Sequence, residues 1–384
     1  MTELSAGFVP WSRRLDGEVV GRPVMGGDLV YAATGAGTVH ALRAASGETV
    51  WTRHLDEPPA SAPVVAHDTV LVTAGERDRH GNGAGVVALD AATGDPRWDD
   101  PHGGGWCDAA VDDDGRVLVA TGHTTVRAVD PDTGATAWRT DLAAHELASD
   151  RSSFFVLDPV AAEGGRVVVH LDTSVCYGLD GGDGTVLWRT AYGSYYDAWT
   201  PAVVHDGVVY VGTGDGGLVA LDAATGARRA ARRPQWEELH AGVGWPDPRE
   251  RSPVIDHGPV VAGTSAGASV WMGARNGFLC AYDTGGRTLH LLDNLPARWG
   301  APAPVAAGDR VVAVWPGGHM AAYDATDRER LWTARDRKLS TLPAATAEMF
   351  CYGRGRTLVA HPTATGPATS RRLALPRLLL RRRR

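Results

Sequence analysis

Residues 200–226 read TPAVVHDGVVYVGTGDGGLVALDAATG, and residues 61–98 read SAPVVAHDTVLVTAGERDRHGNGAGVVALDAATGDPRW. Each opens on a small residue or proline, runs through a short apolar stretch, turns at an Asp or Gly, and continues into a second and a third apolar stretch. Such stretches bounded by Gly, Asp and Thr are strand and turn signals. The closing Asp-Ala-Ala-Thr-Gly has a mechanism: the Asp side chain caps backbone N–H groups two residues on, and Gly takes the positive φ that reverses the chain.

The unit recurs from end to end, opening at Pro23, Pro63, Ala109, Pro159, Pro201, Pro253, Pro304 and Pro343. Its turn is seen again as Asp130-Pro-Asp-Thr-Gly134 and Asp180-Gly-Gly-Asp-Gly184. Four residues past the turn glycine stands Trp51, Trp98, Trp138 or Trp188, and Trp332 holds the same place in unit seven. A tryptophan so placed on an outer strand is expected to pack between neighbouring sheets. Four strands per unit, here named A to D, in eight units predict an all-β fold, an eight-bladed β-propeller of four-stranded antiparallel blades.

The eighth unit has no Trp after Thr365-Gly366, whereas Val9-Pro-Trp11-Ser-Arg-Arg-Leu15-Asp16 matches Val50-Trp51-Thr-Arg-His-Leu55-Asp56. The N-terminal segment, residues 8–16, is therefore expected to be the outer strand of blade 8 and to close the ring. Ser370-Arg371-Arg372-Leu373 competes for that slot by repeating Ser12-Arg13-Arg14-Leu15. Trp11 decides the choice, because burying an indole is worth several kcal/mol, whereas residue 370 is a serine. Residues 1–366 then form a single propeller domain, and 367–384 an Arg-rich, loose tail.

Composition agrees. The 384 residues include 48 Gly and 23 Pro, with 43% hydrophobic and 22% charged, which describes a folded, turn-rich chain. No run reaches the ~20 apolar residues of a membrane helix, and the start lacks a basic region followed by an apolar one, so the expectation is a cytoplasmic protein with no membrane span. Basic charge is nearly all arginine, with Lys338 the one lysine, a bias of GC-rich, actinobacterial-type genomes. Seven of the 38 basic residues lie at 371–384, so 31 face 45 acidic residues elsewhere and the body carries about −14. Such a body repels a phosphate backbone, and no nucleic acid is expected on it. The tail could hold an acidic partner, an anionic membrane or nucleic acid, or fold back on the body. Cys107, Cys176, Cys280 and Cys351 are far apart and are read as reduced, buried thiols.

The run Pro-Val-Val…Asp…Val-Tyr-Val-Gly…Gly-Leu-Val-Ala-Leu-Asp-Ala-Ala-Thr-Gly…Trp resembles the pyrroloquinoline-quinone-type propeller repeat, from about Trp11 to Thr365. That family includes quinoprotein alcohol dehydrogenases and the outer-membrane assembly lipoprotein of the BAM complex, and the resemblance implies eight blades docked by tryptophan. It bears on fold and not on function. Unit five has Ala230 and unit six His290 where Trp is expected, so those blades must dock differently or pack more loosely. The resemblance also implies, for the enzymes, adjacent bridged cysteines over the quinone and carboxylate and amide ligands to Ca²⁺. No two cysteines are adjacent here, so no cofactor, neither quinone nor Ca²⁺, no metal and no catalytic residue is assigned.

In a propeller the D–A and B–C connections share one face. The long ones, 141–153, 189–199 and 228–252 with insertions at 76–85 and 266–274, place any localised function there. Trp106, Trp199, Trp245 and Trp299 fall shortly before strand A openings, at the channel mouth, with Tyr195, Tyr196 and Asp197 to add donors and a charge. They are candidate ligand-binding residues for a sugar, nucleobase, quinone or peptide side chain, or else fillers of the channel top. His102, His123, His170, His240, His257, His319 and His361 are scattered over the blades and read as satisfied or surface histidines. Two functions stand. One is a non-catalytic, WD40-like scaffold, expected to be a monomer, binding a protein, peptide or small-molecule ligand through the loop-rich face. The other is a channel-mouth enzyme, a quinoprotein-like oxidoreductase or a lyase or transferase on a small metabolite, with Asp197, Asp247, Arg249 and Glu250 nearby.

Overall fold

The computed structural model describes residues 8–75, 85–100, 110–121, 124–145, 156–192, 200–214, 217–232, 255–263, 267–274, 277–284, 288–294 and 300–367. They form eight four-stranded antiparallel sheets arranged as the blades of a propeller. Blade 1 has strands Val19–Gly26, Leu29–Thr34, Thr38–Arg43 and Thr49–His54, from the innermost A to the outermost D. Blades 2 to 7 repeat this order over 64–100, 110–141, 156–191, 203–232, 255–294 and 303–335. One single-turn 3₁₀ segment, Leu142–His145, is the only helical piece among the described residues.

Blade 8 takes three strands from the C-terminal side, Ala344–Ala345, Met349–Arg354 and Thr357–Pro362, and its outer strand from the N-terminus, Trp11–Arg14. The last pair runs antiparallel, with Trp11 opposite Ala360 and Arg14 opposite Thr357. The ring is thus closed by a strand from the far end of the chain, which leaves no blade short of an edge.

Burial explains the sequence pattern. Strand B of blades 1 and 2 is buried at every residue, so it reads as an unbroken apolar run. Strand D faces solvent on its outer side, and Thr49–His54 and Val186–Ala191 bury mainly their tryptophan. The described core divides into eight apolar clusters, one at each seam between successive blades; the cluster of Leu15, Val30, Leu42, Met349, Cys351 and Leu358 joins blade 8 to blade 1.

The marker prolines of units one and four do not open their strands. Strand A begins earlier, at Val19 and Val156, and Pro23 and Pro159 fall where the pairing shifts register, between Val20 and Val24 and between Leu157 and Ala161. A residue without an N–H cannot extend the ladder, and a bulge absorbs it.

Candidate functional site

Around the outer ring, each D-strand tryptophan lies across a small residue of its own strand C and reaches into the C–D turn of the next blade. Trp51 pairs with Ala41, Trp98 with Ala88, Trp138 with Ala128 and Trp188 with Gly178. The indole Nε1 of Trp51 donates to Ala91 O at 2.9 Å, Trp98 to Pro131 O at 2.9 Å, Trp138 to Gly181 O at 2.8 Å and Trp188 to Ala223 O at 2.9 Å. Trp332 donates to Thr363 O at 2.8 Å, and Trp11 to Ala44 O at 2.8 Å, across the closure. Beyond Trp11 the chain is latched by Asp16, whose carboxylate accepts from Thr34 Oγ1 at 3.0 Å and Thr38 Oγ1 at 2.6 Å and lies 2.9 Å from His40 Nε2. Burial pushes the Asp16 carboxyl up, but these hydrogen bonds outweigh it and hold it at about 2.

Blade 6 docks without a D-strand indole. Its strand B supplies Trp271, which donates to Ser269 Oγ at 2.7 Å, and Ser269 donates on to Ala325 O at 2.9 Å. Ala325 occupies in blade 7 the place that Ala91 holds in blade 2. Sequence reasoning missed this relay because Ser269 and Trp271 lie two strands away from the expected position.

The seven residues proposed from sequence as a ligand site, Trp106, Trp199, Trp245, Trp299, Tyr195, Tyr196 and Asp197, all lie outside the described residues. The frame around them is described. His170, fully buried on strand B of blade 4, has Nδ1 2.7 Å from Thr200 O and Nε2 2.5 Å from Tyr192 Oη. A carbonyl can only accept, so Nδ1 carries the proton and Tyr192 donates to Nε2. One imidazole therefore holds both residues that flank 193–199, and burial lowers its pKa to about 4. On the same face the chain leaving strand D is tied to the B–C turn of its own blade, by Leu55 N to Gly37 O, Leu142 N to Thr124 O, Tyr192 N to Ser174 O and Asp336 N to Gly318 O.

A cleft of about 300 Å³ opens on this loop-bearing face where blades 6, 7 and 8 meet. His257 and Ala303 line it from strands A, Pro316 to Gly318 from the B–C turn of blade 7, and Arg337 with Leu339 to Leu342 from the connection into blade 8. No local motif signals it, because its lining is drawn from three blades. Gly300, which follows Trp299 in the chain, packs against Pro316 at the same place.

Four further carboxyls, all in the C–D turns, are shifted down like Asp16. Asp222 falls to about 2 because Arg229 and Thr225 donate to it; Asp90 is lowered first by Arg97, Asp130 by Thr133 and Asp183 by the Thr185 backbone. These are turn caps and ion pairs. The described cysteines, Cys176, Cys280 and Cys351, are free, and burial pushes each thiol up. They stand in blades 4, 6 and 8 and do not fit the paired-cysteine ring of a quinone site. Among the described residues no three His, Cys, Asp or Glu side chains converge as a metal site, and no helix is long and apolar enough to cross a membrane.

A family profile described as outer membrane protein assembly factor BamB matches residues 5–104, 82–235 and 229–374. The protein of that name from Yersinia pestis is 37% identical over 112 residues, 29% of this chain and 28% of its own length. The one from Moranella endobia (strain PCIT) is 32% identical over 113 residues, 29% of each. The chain thus spans under a third of the length of these curated relatives. The crystal structure of BamB from Moraxella catarrhalis superimposes with a TM-score of 0.63 at 16% identity, covering 91% of this chain and 95% of that one. Quinohemoprotein alcohol dehydrogenase from Comamonas testosteroni gives 0.61 at 14% identity, covering 96% and 78%. At such identities the structural likeness establishes the fold alone.

Proposed function

The chain belongs to the family described as outer membrane protein assembly factor BamB, a pyrroloquinoline-quinone-type propeller, and from that premise we propose that it is a non-catalytic scaffold that binds a protein or peptide partner through its loop-bearing face. The observation that carries the reading is the family match, which runs from residue 5 to residue 374 and so takes in the whole ring with its closing strand. The geometry of the described face supports it: backbone ties between D-strand ends and B–C turns, with the His170 clamp, make a stiff frame that carries long connections. The downward-shifted carboxyls suit a structural role and offer no general acid poised near neutral pH.

Site-specific photo-crosslinking in the native host tests this. A photoreactive residue at Ser340 on the loop-bearing face is expected to trap a discrete protein partner, and one at Gly164 on the opposite face is not. Equal trapping on both faces, or none on either, would remove the proposal. The same reading takes the chain as a monomer, checked by light scattering, and as cytoplasmic, in keeping with three free thiols. Cell fractionation decides the compartment, and recovery in the envelope would move the partner search there.

A further inference from the structure

We infer that the cleft between blades 6, 7 and 8 is the seat for an acidic side chain of the partner, with Arg337 as its anchor. The inference rests on the scaffold reading and adds the chemistry of the partner. The body of the chain is acidic, about −14 without the seven tail arginines, yet Arg335, Arg337 and Lys338 fall within four residues at this mouth. His319 at the start of strand C, opposite Arg335 in the C–D pairing, and His257, exposed on strand A, lie beside these cations. The pKa of His319 is lowered, first by burial and then by Arg335 and Arg337, as expected where cations crowd together.

The other polar groups of the cleft are already committed. Ser340 Oγ accepts from Gly355 N at 2.9 Å, and Thr341 Oγ1 accepts from Gly353 N at 2.8 Å. Asp336, the carboxylate adjoining Arg337, accepts from Tyr352 Oη at 3.2 Å, from Arg354 Nε at 3.2 Å and from the Lys338 backbone at 2.9 Å. Arg337 makes no hydrogen bond or ion pair among the described residues. Its guanidinium is thus the uncommitted donor of the cleft, and a planar fork of N–H groups matches a carboxylate in a bidentate pair.

The rest of the lining suits the stem of such a side chain. Ala301, Val314 and Leu342, the last 39% exposed, give an apolar wall. The turn opposite is bare backbone, since a Cβ placed on Gly317 would meet nothing within 4 Å. That turn is also fixed, because Gly318 O accepts from Asp336 N at 2.8 Å and a Cβ on Gly318 would strike Asp336 O. An acidic residue with its methylene stem on the wall and its carboxylate on Arg337 fills a space of this size and charge.

The experiment uses the full chain and three probes: a fluorescent octapeptide rich in Glu, the same peptide with Gln for Glu, and free citrate. Anisotropy at low salt is expected to show binding of the Glu peptide, at least tenfold weaker in Arg337→Glu, unchanged in Arg43→Glu on the opposite face, and absent for the Gln peptide. Unchanged binding in Arg337→Glu, or equal binding of the Gln peptide, overturns the inference. Citrate that displaces the peptide at concentrations well below the peptide's own Kd also overturns it, by making the occupant a small carboxylate. Failure here is separable from failure of the scaffold reading. A partner trapped through Ser340 whose yield is indifferent to Arg337→Glu leaves the scaffold standing and removes only the acidic anchor.

Discussion

The turn glycine of each repeat answers two demands at once. Gly94 has φ +75°, and a Cβ there would sit 2.6 Å from Cε3 of Trp51, the indole arriving from the preceding blade. Gly47, Gly134, Gly184, Gly226 and Gly366 stand in the same relation to Trp11, Trp98, Trp138, Trp188 and Trp332. Where no indole arrives the glycine is dispensable: blade 6 has His290 in place of Trp, and the facing turn carries Arg328 at φ 66°. A double-mutant cycle isolates the second demand. Gly94→Ala should cost roughly 2–4 kcal/mol by denaturant unfolding, from the left-handed backbone and the displaced ring together. In a Trp51→Ala background, itself costing about 3–5 kcal/mol, it should cost only the backbone share of about 1–2 kcal/mol; full additivity would mean the two residues do not press on each other. His170 makes a separate prediction. Its folded pKa of about 4 lies below the ordinary 6.5, so between these values the unfolded chain binds more protons and stability falls as pH drops. The loss from pH 6.5 to 4 should approach about 3 kcal/mol. His290, His319 and His361 add to it in the same direction, each lowered first by burial. His170→Gln should flatten the pH slope, and an unchanged slope would mean the imidazole is not held neutral.

At the scale of the element, the closing strand is held by four backbone pairings, one indole and the Asp16 latch. Deleting residues 1–16 should expose the outer edge of Thr357–Pro362, an unpaired strand that invites pairing between chains. Light scattering is expected to show dimers or larger species, and a synthetic peptide of residues 8–16 should return the truncated chain to its original size; the same peptide with Ala for Trp11 should do so poorly. A truncated chain that stays the same size without peptide would argue that another segment covers the edge, and Ser370-Arg371-Arg372-Leu373 is the segment to delete next. The strand was legible beforehand because its signal is local: an indole and a Leu-Asp at fixed spacing, repeated from Val50 to Asp56. The relay from Trp271 through Ser269 was not, since it replaces an outer-strand contact with an inner one and leaves only a gap, His290, in the pattern. The mouth cleft was equally hidden. Its charge comes from Arg337 and its walls from Ala301, Val314 and Leu342, which adjoin only once blades 7 and 8 stand side by side. The expected aromatic site at Trp106, Trp199, Trp245 and Trp299 lies on segments outside the described residues, where connections are long and the repeat offers no template.

At the scale of the whole ring, the described strands of each blade pack against those of the blades on either side, so stability is close to a sum over blades and seams. The seams are not alike. Those leaving blades 1, 2, 3, 4, 7 and 8 carry a D-strand indole bonded to the next turn, and the one leaving blade 6 carries the Trp271–Ser269 relay. The seam leaving blade 5 has Ala230 opposite Ala220, with the tilted pair Tyr210 and Tyr282 inside. Local opening follows local contact, so amides of Arg228–Arg232 should exchange with solvent faster than those of Val186–Ala191, the matching strand one blade earlier. Equal protection would show that the indoles add little beyond the cores they cover. The converse can be built. Ala230→Trp alone should gain nothing, because the position that matches Gly226 in the repeat, four residues beyond Asp283, is Arg287 in the sequence and not the glycine that accompanies each docking indole. Ala230→Trp with Arg287→Gly should recreate the pairing found at Trp188 and Gly226. It should raise the unfolding free energy by about 1–3 kcal/mol and slow exchange in blade 5. If the double variant is no more stable than Ala230→Trp, the link between turn glycine and docking indole is a sequence habit of the repeat and not a cause of its stability.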